Sequence, residues 1–173
     1  CSPISDGAAA LVITSAKKGI RIAASVVATD SLGLAQRKSL LTLDATHAAA
    51  TRAYSLAGVE PTDIDVAEVH DCFTIAEILA MEDLGLYEKG KAAEAIARGE
   101  TMLGKSKKLV VNPSGGLKGC GHPVGATGVK QVAELVEQLR GRAHNRQVSH
   151  AKVGLAHNVG GSGATAVVHI LTI

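Results

Sequence analysis

Runs of β-branched, apolar residues alternate with longer runs of helical period, and this alternation limits the folds open to the chain more than any other feature. "IRIAASVVATD" (Ile20 to Asp30), "IDVAEVH" (Ile64 to His70), "KKLVVN", "AKVGLAHNVGG" and "ATAVVHILTI" read as strands. A further strand, "AAALVIT" (Ala8 to Thr14), precedes them, set off by the turn "SAKKG". Between the strands, Asp44 caps a helix through "ATHAAATRAYSLA" that stops at Gly58. Phe73 opens another, with Ile75, Ile78 and Leu79 on one face, and "KAAEAIARGE" gives a short third ending at Gly99. The last helix starts at Pro123, whose fixed φ suits a first helical position. Val129, Val132, Leu135, Val136 and Leu139 form its apolar face, and Lys130, Glu134, Glu137 and Arg140 its polar one. The order β-β-α-β-α-α-β-α-β-β predicts an α/β domain, a mixed sheet covered by helices on both faces.

Composition narrows the function. A net charge of +2 is too weak to draw nucleic acid or an anionic membrane as main partner. Aromatic residues make up 2% of the chain, too few for a base-stacking platform. No apolar run reaches the roughly 18 residues of a membrane span. The first residues lack a signal-peptide pattern, and the chain starts at Cys1, as though cut from something longer. Three cysteines cannot all pair, which points to a reducing, cytoplasmic setting.

Chemistry concentrates in three stretches: "EVHDCF" (Glu68 to Phe73), "LKGCGHPVGATG" (Leu117 to Gly128) and "AHNVGGSGA" (Ala156 to Ala164). Each follows an apolar strand, and ligands of open α/β sheets gather at the carboxyl ends of strands. Strands of shared direction would bring together His70, Cys72, Asn112, Cys120, His122, His157, Asn158 and the amides of Gly160 and Gly161. Thiols, imidazoles and glycine N–H groups are the vocabulary of nucleophilic catalysis with an oxyanion hole. The start of a helix also disfavours the cationic form of His122 and stabilises a nearby thiolate.

"DGAAALVIT", "HDCF", "NPSGGLKGCGHPVGATG" and "HNVGGSGA", in this order, resemble the C-terminal half of a thiolase over essentially the whole of residues 1–173. "HDCF" resembles the branch with the sterol-carrier-protein thiolases and the archaeal acetyl-CoA acetyltransferases. The resemblance implies a transferase of lipid metabolism that makes or cleaves 3-oxoacyl-CoA by Claisen chemistry. Coenzyme A thioesters would be its substrates, and it would need no cofactor or metal. It implies His122 as the base toward a nucleophilic cysteine, His70 as the holder of the enolate oxyanion, and Cys72 as the second acid/base. Asn158-Val159-Gly160 stands where many thiolases carry Cys-x-Gly, so Cys72 takes that thiol's place. Gly160 would complete the oxyanion hole, Phe73 would line the pantetheine channel, and Asn158 and His157 would meet substrate. A thiol serving as acid and base near neutral pH calls for a lowered pKa.

The family's nucleophilic cysteine lies in its N-terminal half, so this chain alone is expected to be inactive. Its partners would be that half, further copies in a dimer or tetramer, and an accessory protein of the OB-fold or zinc-ribbon kind. Rival readings are a thiolase-like subunit that cleaves steroid side chains by retro-aldol chemistry, a non-catalytic relative, and a zinc site on His70, Cys72, Cys120 and His122. Cys120 reads as structural, Asn112 as a loop brace, and His157 as either pocket wall or loop brace.

Overall fold

The computed structural model describes residues 1–16, 19–106 and 108–173. Along the chain come β1 (Arg21–Thr29), α1 (Asp44–Ala57), β2 (Val66–Glu68), α2 (Thr74–Asp83), α3 (Ala92–Arg98), β3 (Val110–Val111), α4 (Gly116–Cys120), α5 (Val124–Leu139), β4 (Val153–Gly160) and β5 (Thr165–Thr172). The strands form one sheet ordered β1-β5-β4-β2-β3. β2 runs parallel to β3 and β4, while β5 is antiparallel to β4 and β1. The mixed α/β architecture expected from the alternation is therefore present.

Periodicity explains which residues turn inward. In α1 the alanines 45, 49, 50 and 53 and Tyr54 are buried, a small-residue stripe that lets the helix lie close on β1 and β5. Gly58 ends it in the left-handed region at φ 69°, as expected. This helix and α2 cover one face of the sheet over Ala24, Val26, Ala67, Leu155, Val168 and Ile170. On the other face α5 sets Val132, Leu135 and Leu139 against Val66, Val110, Ala156 and Leu171.

Four local expectations differ from the structure. "AAALVIT" makes no strand: the segment has no regular structure, with Val12 97% and Ile13 74% exposed, because among the described residues no strand pairs with it to complete its hydrogen bonds. Only Val110–Val111 of "KKLVVN" is strand; Lys107 of that stretch, and Lys17 and Lys18 of the "SAKKG" turn, lie outside the described residues. A short helix, α4, occupies the glycine loop. Glu134, placed on the polar face, is buried where Arg146 bridges it at 3.0 Å.

Candidate active site

The shared direction of β2, β3 and β4 carries the loops that follow them to one end of the sheet. His70 leaves β2 and meets His122, which leads into α5; their ring centroids are 4.9 Å apart and the rings edge-to-face at 83°. The N-terminal residues tie these loops together: Ser2 donates its N–H to Cys72 O at 3.0 Å, and Pro3 O accepts from His122 N–H at 3.3 Å. His70 and His122 thus lie side by side, and the Ser2–Pro3 backbone reaches from Cys72 O to the His122 N–H.

The hydrogen bonds of His122 decide where its proton sits. Thr127, one turn into α5, donates its single hydroxyl proton to Pro123 O at 3.2 Å. The same oxygen lies 2.7 Å from His122 Nδ1, and while its proton stays on Pro123 O it accepts from that nitrogen. In that arrangement Nδ1 carries the hydrogen of the neutral ring and Nε2 keeps a lone pair. That is the tautomer of a general base.

His70 is 5% exposed, and burial followed by the nearby His122 charge lowers its pKa to about 4. It is neutral at pH 7 and offers one N–H donor. Its neighbour Cys72 is half-buried, and burial pushes its thiol above the usual range, opposed by the Cys72 and Phe73 backbone amides. The lowered pKa expected of a thiol acid/base is not what this surface provides, because desolvation outweighs those amides. Phe73 precedes α2 and is 52% exposed, so its ring is open to contact.

His157 and Asn158 lie within β4, not beyond its end. The alternation of a strand sends them to opposite faces. His157 is 0% exposed and meets Thr46 Oγ1 of α1 at 2.9 Å, and burial drives its pKa down to about 3. It stands apart from any surface a ligand could reach. Asn158 faces α5 and donates to Gln131 Oε1 at 3.0 Å. Gly160 ends β4 exposed at the solvent, its carbonyl closing the turn with Gly163 N–H at 3.1 Å.

Glu68 and Gln131, which shape the cluster, carry no sequence signal of their own. Glu68 is fully buried beneath the loops and accepts from Ser114 Oγ at 2.7 Å and Ser114 N–H at 3.2 Å. Burial raises its pKa to about 7 against the pull of Ser114 and Lys130. Gln131 donates to His157 O at 3.0 Å, joining α5 to β4. Asn112 accepts Val69 N–H at 2.8 Å and so braces the loop, while the Cys120 thiol donates to Ser114 O at 2.8 Å. Only Thr127, a hydroxyl five residues after the histidine, has a spacing that sequence could have flagged. Among the described residues no group of three or more His, Cys, Asp or Glu side chains is arranged to hold a metal ion.

Residues 26–173 match the family described as thiolase C-terminal domain-like. The chain is 48% identical to an acetyl-CoA acetyltransferase of Methanothermobacter thermautotrophicus, across 99% of this chain and 46% of that protein. It is 44% identical to sterol carrier protein 2 of Homo sapiens, across 96% of this chain and 32% of that protein. The chain thus spans about half or less of the length of these relatives. Among solved structures, the Ltp2-ChsH2(DUF35) aldolase superposes with a TM-score of 0.78 at 24% identity, over 88% of this chain and 39% of that one. A monomeric SCP2-thiolase like protein from Mycobacterium smegmatis superposes at 0.62 and 17% identity, over 88% of this chain and 28% of that one. These two likenesses show the fold alone. With the family match and the archaeal identity together, the chain belongs to the thiolase family, as its C-terminal domain.

Proposed function

We propose that this domain supplies the acid/base half of a thiolase, an acetyl-CoA C-acyltransferase that condenses or thiolytically cleaves 3-oxoacyl-CoA. The observation that carries the reading is the His70–His122 pair, 4.9 Å apart, with Thr127 Oγ1 at 2.7 Å from His122 Nδ1. An N-terminal half brings the nucleophilic cysteine. His122 Nε2 takes that thiol's proton as the acyl group arrives. The neutral His70 ring donates to the enolate oxygen that appears when the α-proton leaves, where a positioned donor counts most. Cys72 removes and returns that proton. Its raised pKa suits the return step and asks the partner half to supply positive potential for removal. The Gly160 N–H serves the tetrahedral intermediate, and Phe73 lies along the acyl-carrier arm.

The complete enzyme acts as an oligomer in a reducing cytoplasm, where its cysteines stay thiols. The relatives' length supports a partner half, since this chain accounts for 46% of the archaeal enzyme. The likeness to the aldolase complex supports an accessory protein no further than fold similarity allows.

The test joins the chain to an N-terminal thiolase half and follows coenzyme A-dependent cleavage of acetoacetyl-CoA. The joined protein turns over and the isolated chain does not. Cys72→Ala stops deuterium exchange at the α-carbon yet leaves acylation measurable, whereas His122→Ala loses acylation by about 10²- to 10⁴-fold. Turnover by the isolated chain, or acylation indifferent to His122, refutes the assignment.

A further inference from the structure

Asp71 stands between His70 and Cys72, yet its carboxylate is turned away from both toward the next loop. It is 3% exposed. Oδ1 accepts the Leu117 N–H at 2.6 Å and Oδ2 the Lys118 N–H at 3.2 Å. Both donors belong to α4, the single-turn helix that ends at Cys120, two residues before His122. The fit around the carboxylate is close. A Cβ on Gly116, whose φ is +60°, would stand 2.7 Å from Asp71 Cγ and from Oδ1, inside any normal contact. Glycine there lets the carboxylate reach the amides. Three residues upstream, Glu68 grips the same loop at Ser114.

A carboxylate so occupied has no room for a substrate proton. We propose that Asp71 is a positioning residue: its two bonds to α4 set the distance between the loop bearing His70 and Cys72 and the loop bearing His122. The role rests on the thiolase reading for its catalytic meaning, though not for its geometry. An acid and a base that must serve one substrate need fixed spacing, and a displacement of about 1 Å costs on the order of 10²-fold in rate. The local backbone alone does not supply it, since the loops come from strands separated by α2 and α3 in the chain.

Asp71→Asn is the first test. It keeps an oxygen for Leu117 but turns an amide N–H₂ toward the Lys118 N–H, donor against donor. In the chain joined to an N-terminal half, kcat falls about 10²-fold with KM within about twofold. In the isolated chain, the ring ¹⁵N signals of His70 and His122 move while those of His169 on β5 stay. Gly116→Ala pushes the same carboxylate without changing its charge and moves the same two signals. Where Asp71→Asn does not fold, Gly116→Ala decides. Where neither folds, amide exchange of the wild-type chain decides, with Leu117 N–H slow to exchange. Wild-type ring signals and kcat in both variants, or Leu117 exchanging as an open loop does, overturn the proposal. If the wild-type joined protein has no turnover, the thiolase reading fails, and the ring signals still settle what Asp71 does.

Discussion

At the scale of single residues, the site depends on where a few protons reside. With the Thr127 hydroxyl proton on Pro123 O, His122 Nδ1 donates to Thr127 and Nε2 keeps its lone pair. Thr127→Val removes the acceptor without changing the shape, frees the ring to the other tautomer and lowers acylation by ~10- to 100-fold. Thr127→Ser restores it, and ring ¹⁵N shifts read the tautomer directly. Unchanged shifts in Thr127→Val would refute the assignment of the proton.

Burial sets two opposing pH dependences. His70 and His157 fall from 6.5 to about 4 and about 3, so the unfolded chain binds more protons in that window, and their contribution to stability is lost as pH drops below about 6.5. Glu68 rises from 4.5 to about 7, so there the folded chain holds the extra proton, and its contribution is lost as pH rises through that range. Glu68→Gln therefore steepens the increase of Tm between about pH 4.5 and 6.5, while His157→Gln flattens it. The opposite slopes in thermal melts would reverse the assigned causes.

Elements are held by contacts remote from the motifs. The turn from β4 to β5, which carries Gly160, is backed by Arg37, a side chain 4% exposed. Its guanidinium donates to Ser162 O at 2.7 Å, to Ser162 Oγ at 3.2 Å and to Ser31 O at 3.2 Å. Arg37→Ala leaves these acceptors unpaired and costs about 1–3 kcal/mol, with faster amide exchange at Gly163. Exchange unaltered at that amide would mean that the turn holds itself. Leu135, 0% exposed between α5 and the sheet, is the apolar counterpart, and Leu135→Ala lowers stability by about 2–5 kcal/mol in denaturant melts.

The whole molecule exposes more surface than its mass requires. A folded monomer of this size shows about 7,900 Å² by the usual scaling. This chain shows 9434 Å² at 17.6 kDa. The excess has identifiable sources. Residues 8–14 lack regular structure and leave Val12 and Ile13 exposed, and on the face of the sheet opposite α1 the edge strand β1 leaves Ile22 and Val27 uncovered, at 43% and 61%. Apolar surface of this kind is what a contact with another chain would cover. The isolated chain self-associates in sedimentation experiments, and Val27→Lys reduces that association without lowering Tm. A chain that stays monomeric at high concentration would contradict this.

Features that depend on near neighbours were legible in the sequence. The glycine after α1, the apolar stripe of α5 and the crowding of His70, Cys72 and His122 at strand ends all follow from spacing along the chain. The strand through "AAALVIT" did not appear, because hydrophobic alternation makes a strand competent, while only a neighbouring strand makes it one. His157 could be read as pocket or brace until its place within β4 turned it toward Thr46. Cys72 could be expected to ionise easily until its burial was known. Sequence by itself determined the α/β class and the family, because these reside in short-range patterns. The partners of Asp71, Thr127 and Arg37, the protonation of Glu68 and the distance between two imidazoles were decided only by the tertiary structure. Hydrogen bonds and desolvation act through space, and the chain order does not record which groups the fold brings within 3 Å of one another.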